Sequence, residues 1–144
     1  MASDLHLRIV TPDRTIVDRK VKEVEFQGID GGYGILPNHA PMMTAIAEAG
    51  TVKIVEADGS TKELFASDGF AQMQHNVLTL VCEAGEFATE IDLERVKAAE
   101  QKARERLAGL DRLSEEYLKA EASLRKALAR ELLARRGSGT GRLN

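Results

Sequence analysis

The run NVLTLVCEAGEFATEIDLERVKAAEQKARERL, residues 76–107, changes its hydrophobic period part-way along. Over 77–82 the apolar residues alternate, with Val77 on one face and Leu78, Leu80 and Cys82 on the other, which is the period of a strand. From Asp92 onward Leu93, Val96, Ala99, Ala103 and Leu107 recur at three- and four-residue steps, with Lys, Arg and Glu between them. That is the period of an amphipathic helix. The switch predicts an all-β N-terminal part followed by an α-helical part.

Upstream, short alternating bursts extend the β reading back to Leu5. LHLRIV sets Leu5, Leu7 and Ile9 on one face, VKEVEFQG alternates Val24 and Phe26 with charge, and TVKIVE does the same with Val52 and Ile54. The separators TPDR, GIDGG, LPNHAP, EAG, ADGS, SDG and QHN follow roughly every 8–12 residues, as a β-sandwich or barrel requires. The Asp58-Gly59 pair favours a two-residue hairpin turn.

Downstream, Gly109, Leu110 and Asp111 supply a C-cap and turn, after which Leu113, Tyr117, Ala120, Leu124, Leu128 and Leu132 form a second stripe. Two helices joined by so short a turn run antiparallel. Domains are therefore expected at 1–88 (β-sandwich), 89–136 (two-helix hairpin) and 137–144 (GSGTGRLN, a flexible tail). The stripes are narrow and Ala-rich, so the helices bury little area against each other and need a further surface.

Net charge is −3 over 144 residues, but its distribution is uneven. Residues 1–91 hold 7 Lys/Arg against 14 Asp/Glu, and residues 92–144 hold 13 against 9. There is no overall basic footprint for nucleic acid, whereas the helical part suits an acidic partner surface. A single cysteine excludes an internal disulfide and any Cys-based zinc site. MASDLHLRIVTPDR has neither a secretory apolar core nor the look of a transit peptide, which predicts an intracellular, non-integral protein.

GIDGGYGILPNHAP, residues 28–41, invites a phosphate-loop reading. Phosphate-binding glycine loops open a helix, and the prolines after Gly34 exclude one here. His39 has no neighbouring nucleophile with an acidic orienter, His6 and His75 lack metal-ligand spacing, and Cys82 reads as a small core residue. No catalytic site and no metal site is predicted. EIDLER, residues 90–95, reads from its residues alone as a helix cap at Asp92 with a surface ion pair.

Taken in order, GILPNHAP (34–41), SDGF (67–70), the Ile91-Asp92-x-x-Arg95 helix start and the charged Ala/Leu hairpin resemble the epsilon subunits of bacterial F-type ATP synthases, from about Leu5 to Arg136. The resemblance implies a sandwich of about ten strands and a mobile helical domain in the central stalk of a proton-translocating rotor. It implies docking to the gamma subunit and the ring of c subunits, with Asp30, Tyr33 and His39 at that interface. It also implies a helical arm that inhibits ATP hydrolysis by reaching the catalytic alpha/beta head. There Arg125, Lys126 and Arg130 would meet an acidic segment of beta. Such a subunit is not an enzyme, requires no cofactor, binds no nucleic acid, and meets the cytoplasmic face of the bacterial inner membrane only through its complex.

Some members of that family bind regulatory ATP. Ile91, Asp92 and Arg95 match their motif, with Val96 in place of its alanine, and Glu86 falls at an upstream glutamate. Three family arginines correspond to Lys102, Lys126 and Arg130, and the two lysines keep charge without the planar fork that grips phosphate. The alternative functions are a stand-alone ATP sensor with Asp92, Arg95 and Arg130 as its ligands and a β-sandwich enzyme for which His39 is essential. A detachable basic hairpin fits the inhibitory subunit better than the enzyme.

Overall fold

The structure, a computed structural model, describes residues 4–136 in full and only the backbone of 137–143. Among the described residues seven strands come first: β1 (Leu5–Val10), β2 (Thr15–Gly28), β3 (Gly31–Ile35), β4 (Met42–Ile46), β5 (Gly50–Glu56), β6 (Thr61–Gln74) and β7 (Val77–Phe87). A single 3-10 turn (Ala88–Glu90) precedes α1 (Leu93–Ala108) and α2 (Glu115–Leu143). The tail expected over 137–144 lies outside the fully described residues. Two compact units result, Met1–Phe87 and Ala88–Asn144.

In the first unit β1 pairs antiparallel with β2 and parallel with β7, and the pairing continues through β6 and β5 back to β2. β4 lies on β6, and β3 extends β2. The two layers of this β-sandwich enclose one apolar core that includes Leu5, Leu7, Ile9, Val24, Phe26, Ile54, Leu64, Leu78, Leu80 and Cys82. The alternation read from the sequence is therefore the inward face. Burial pushes the Cys82 thiol up to about 11, as befits a core residue.

Seven strands stand where about ten were expected because the long ones serve twice. β2 pairs with β1 through its first half and with β5 and β3 through its second, and β6 passes from β5 to β4. Each change of partner coincides with a change of phase. In β2 the buried set moves from Val17 and Val21 to Val24 and Phe26 across an irregularity between Val21 and Glu23. A bulge of this kind adds one residue, so the opposite parity turns inward.

In β6 the corresponding place is Ser67-Asp68-Gly69, which the sequence suggested as a separator between strands and which is instead a bend within one strand. Asp68 adopts φ +50°, and a Cβ on Gly69 would lie 1.7 Å from the Val81 carbonyl oxygen, so only glycine fits there. The expected two-residue turn at Asp58-Gly59 is longer. Glu56 donates its N–H to the Ser60 carbonyl (2.8 Å), Gly59 takes φ +89°, and Asp58 accepts from the Ser60 amide and hydroxyl at 2.9 and 2.6 Å.

The second unit is the helical hairpin, and its contact surface differs from the expected stripes. On α1 the inward positions are Leu93, Val96, Glu100, Ala103 and Leu107, with Ala99 exposed. On α2 they are Tyr117, Ala120, Leu124, Ala127, Glu131 and Ala134. Leu113 (92 % exposed), Leu128 and Leu132 (61 %) lie off this seam. The alternating three- and four-residue steps keep the seam facing its partner, whereas the four-residue steps Leu124, Leu128, Leu132 rotate away from it. Alanines at the contact let the two helices approach closely.

Candidate functional site

At one edge of the first unit, β2 turns into β3 through Ile29 and Asp30, with Gly31 at φ +136°. The Tyr33 hydroxyl lies 2.9 Å from both carboxylate oxygens of Asp30, and its ring stacks on Phe26 at 5.3 Å with a 9° tilt. A Cβ on Gly28 would meet Tyr33 Cε2 at 2.6 Å, so that glycine makes room for the ring. The turn is thus a small ordered projection with Ile29 exposed and a carboxylate held by a phenol.

His39 belongs to a separate loop whose geometry the sequence did not reveal. Asn38, at φ +69°, donates its amide to Asn76 Oδ1 (2.5 Å), and Asn76 Nδ2 donates back to Asn38 Oδ1 (3.1 Å). His75 and Asn76 form the β6–β7 turn with φ +52° and +61°, so this asparagine pair ties the two loops together. Two asparagines at positions needing left-handed backbone were the available signal. His39 Nδ1 lies 2.7 Å from the Ala40 carbonyl oxygen, which orients the ring against its own loop.

Of the residues implied in ATP binding, Glu86 lies near the end of β7 in the first unit, and the others lie in the second. Asp92 is the N-cap of α1. It has extended backbone (φ −84°, ψ 106°), and its Oδ1 accepts from the amides of Glu94 (3.1 Å) and Arg95 (3.3 Å). Among the described residues no ion pair joins Asp92 to Arg95. Ile91, immediately before the cap, is buried.

Arg95 and Lys102, seven residues apart, share one side of α1, and Lys126 and Arg130, four apart, share one side of α2. Antiparallel pairing along the seam turns both sides to the same face of the hairpin. Four cations are thereby gathered on one face. Arg125 turns to the opposite flank, where its Nη1 lies 3.2 Å from Glu121 Oε1. The start of α2 holds a cap that the stripe reading overlooked: Ser114 Oγ accepts the Tyr117 amide (3.1 Å) and donates to the Asp111 carbonyl (2.6 Å). Its signal was a serine directly before Glu115 and Glu116.

Among the described residues no group of three His, Cys, Asp or Glu is placed to hold a metal ion, and no helix is long and apolar enough to cross a membrane. The described residues thus form a two-unit chain, a β-sandwich with internally tied loops followed by a narrow-seamed helical hairpin with one cationic face. Residues 4–88 match the family described as "ATP synthase, Delta/Epsilon chain, beta-sandwich domain", and residues 89–130 match "ATP synthase, Delta/Epsilon chain, long alpha-helix domain". The chain belongs to the ATP synthase delta/epsilon chain family; it is a subunit of the complex that makes ATP and is not itself catalytic.

Similar curated proteins are the ATP synthase epsilon chains of Nitratidesulfovibrio vulgaris (37 % identity, covering 90 % of this chain and 95 % of the relative) and Caldanaerobacter subterraneus (38 %, covering 93 % and 96 %). A chain in the cryo-EM structure of Euglena gracilis mitochondrial ATP synthase, OSCP/F1/c-ring, shares the fold with a TM-score of 0.78 at 19 % identity, covering 92 % of this chain and 82 % of that one. A chain from the Tetrahymena thermophila mitochondrial ATP synthase central stalk and c-ring does so at 0.62 and 13 % identity, covering 90 % and 98 %.

Proposed function

We propose that this chain is the epsilon-type subunit of the central stalk in a proton-translocating F-type ATP synthase, with its sandwich docked to gamma and the c ring and its hairpin acting as an inhibitory arm. The loops carrying Asp30, Tyr33 and His39 form the docking edge, since each is braced by its own contacts and so meets a partner with little ordering cost. The arm reaches the alpha/beta head, where Lys126 and Arg130 on the cationic face, with Arg125 on the opposite flank of α2, engage an acidic segment of beta. The complex then holds the subunit at the cytoplasmic face of the bacterial membrane.

The observation that carries this reading is the seam. Its buried residues are mostly alanine, so the seam itself offers little apolar area although Leu133 of α2 is fully buried, and Leu118, Leu128 and Leu132 remain exposed for a second surface. The test is reconstitution with gamma, alpha and beta subunits. Neutralising Arg125, Lys126 and Arg130 together is expected to raise ATP hydrolysis while leaving capture by gamma intact; unchanged hydrolysis refutes the arm.

The cationic face supports a second proposal, that regulatory ATP binds the hairpin through Arg95, Lys102, Lys126 and Arg130 together with Ile91 and Asp92. Calorimetric titration of the isolated chain with ATP, with and without Mg²⁺, decides it. Binding at or below millimolar ATP that is weakened by Arg95→Gln supports the site, and no heat at millimolar ATP removes it.

A further inference from the structure

Two carboxyl groups face each other in the α1–α2 seam. Glu100, 9 % exposed, sits between Val96 and Ala103 on the inward side of α1, and Glu131 sits between Ala127 and Ala134 on the inward side of α2. Glu131 is the ionised partner, because Arg135, one turn further on, donates Nε (3.0 Å) and Nη2 (2.7 Å) to its Oε1. Two carboxylates in contact do not both stay charged at little cost, and the bond between them favours a proton on Glu100 over one on Glu131.

We propose that Glu100 and Glu131 share one proton across the seam and that closure of the hairpin is thereby proton-linked: the helices hold together with the proton bound and loosen when Glu100 ionises. The other charges facing the pair are Lys97 and Arg104 on α1 and Arg135 on α2. The turn Ala88–Glu90, which packs on α2, adds the Glu90 carboxylate to the charges of this unit. The three cations lie on the flank of the seam opposite Arg95 and Arg130, so the acidic pair is chemically separate from the cationic face.

The hydrogen bond to Glu131, reinforced by burial, raises the Glu100 carboxyl above the usual glutamate range. The bond from Glu100 and then the Arg135 guanidinium lower that of Glu131. A raised folded-state value gives stability that is fully present below the ordinary glutamate range and is lost as pH rises through the raised value. Glu131 works in the opposite sense, and its contribution is lost only as pH falls through its lowered value. The hairpin is therefore tightest between the two and opens on the alkaline side. The inference does not depend on whether the arm inhibits hydrolysis.

The test uses the full chain in two measurements: carbon-13 NMR of the glutamate carboxyls, and amide exchange of α1 and α2 corrected for the intrinsic pH dependence. Glu100 is expected to titrate above free glutamate, with seam amides losing protection tenfold for each pH unit by which its midpoint is raised. Glu100→Gln keeps a donor to Glu131 and should make protection independent of pH over the same range. Glu131→Gln should return the Glu100 midpoint toward its ordinary value. A Glu100 midpoint at or below that of free glutamate overturns the proposal, even if neither variant folds. An unchanged pH profile in Glu100→Gln overturns it as well. Hydrolysis by the reconstituted complex is a separate readout, so failure of the arm model is distinguishable from failure of the proton link.

Discussion

Replacing Gly69 by alanine places a Cβ 1.7 Å from the Val81 carbonyl oxygen, 2.8 Å from its carbon and 3.0 Å from Cys82 Cα. All three are backbone atoms of β7, which is paired on one side with β6 and on the other with β1 at Val10–Val81. The clash can be relieved only by moving a strand held from both edges. Overpacking of this kind costs about 1–3 kcal/mol, and losing one or two ladder hydrogen bonds adds about 0.5–1.5 kcal/mol each. A total near 3–4 kcal/mol should lower Tm of the sandwich by roughly 12–30 °C, at about 4–8 °C per kcal/mol for a unit of this size. The control is Gly34→Ala on β3, where a Cβ meets nothing within 4 Å and the change should stay within about 0.5 kcal/mol. Urea and thermal unfolding, followed by NMR of core methyls such as Leu78 and Leu80, give both values. If Gly69→Ala proves as stable as Gly34→Ala, the bend does not require glycine and this account of β6 is wrong.

The remaining predictions concern charge, caps and the seam. Glu56, 8 % exposed, accepts Arg19 Nε at 2.9 Å and Nη2 at 2.6 Å with Lys62 at 3.4 Å, and the Arg19 bonds hold its carboxyl below the usual range. Its contribution is present above the ordinary glutamate range and lost as pH falls through the lowered value, so Glu56→Gln should flatten the acid limb of the sandwich's stability curve measured by urea unfolding. Asp92→Asn preserves a capping oxygen and should leave α1 unchanged within a few tenths of a kcal/mol, whereas Asp92→Ala and Ser114→Ala should each cost about 1 kcal/mol in helix protection by amide exchange. Ala127→Leu, at a close contact of the seam, should cost about 1–3 kcal/mol in the same assay, whereas Leu128→Ala on the exposed side should cost under about 0.5 kcal/mol.

The sandwich was largely legible because burial in a two-layer β fold imposes a local period of two, which Leu5, Leu7, Ile9, Val24, Phe26, Val52, Ile54, Leu78 and Leu80 display directly. The cap at Asp92 was legible for the same reason, since a capping bond spans only two or three residues. The hairpin was read correctly as a hairpin and incorrectly at single positions: Ala99 and Leu128 are apolar at helical spacing, yet Glu100 and Ala127 make the contact. Which of two adjacent stripes faces the partner depends on close approach through small residues, and that is a property of the pair of helices.

By itself, then, the sequence determined the order of β unit and helical hairpin, the inward faces of the short strands and the start of α1, all of which rest on interactions between residues near in the chain. Tertiary structure alone decided that Ser67-Asp68-Gly69 is a bend rather than a break, that Asn38 and Asn76 join two loops, and that Glu100 meets Glu131. Each of those joins segments whose proximity is created by folding, through strand exchange between layers or antiparallel helix pairing, and no local pattern encodes which distant group will arrive.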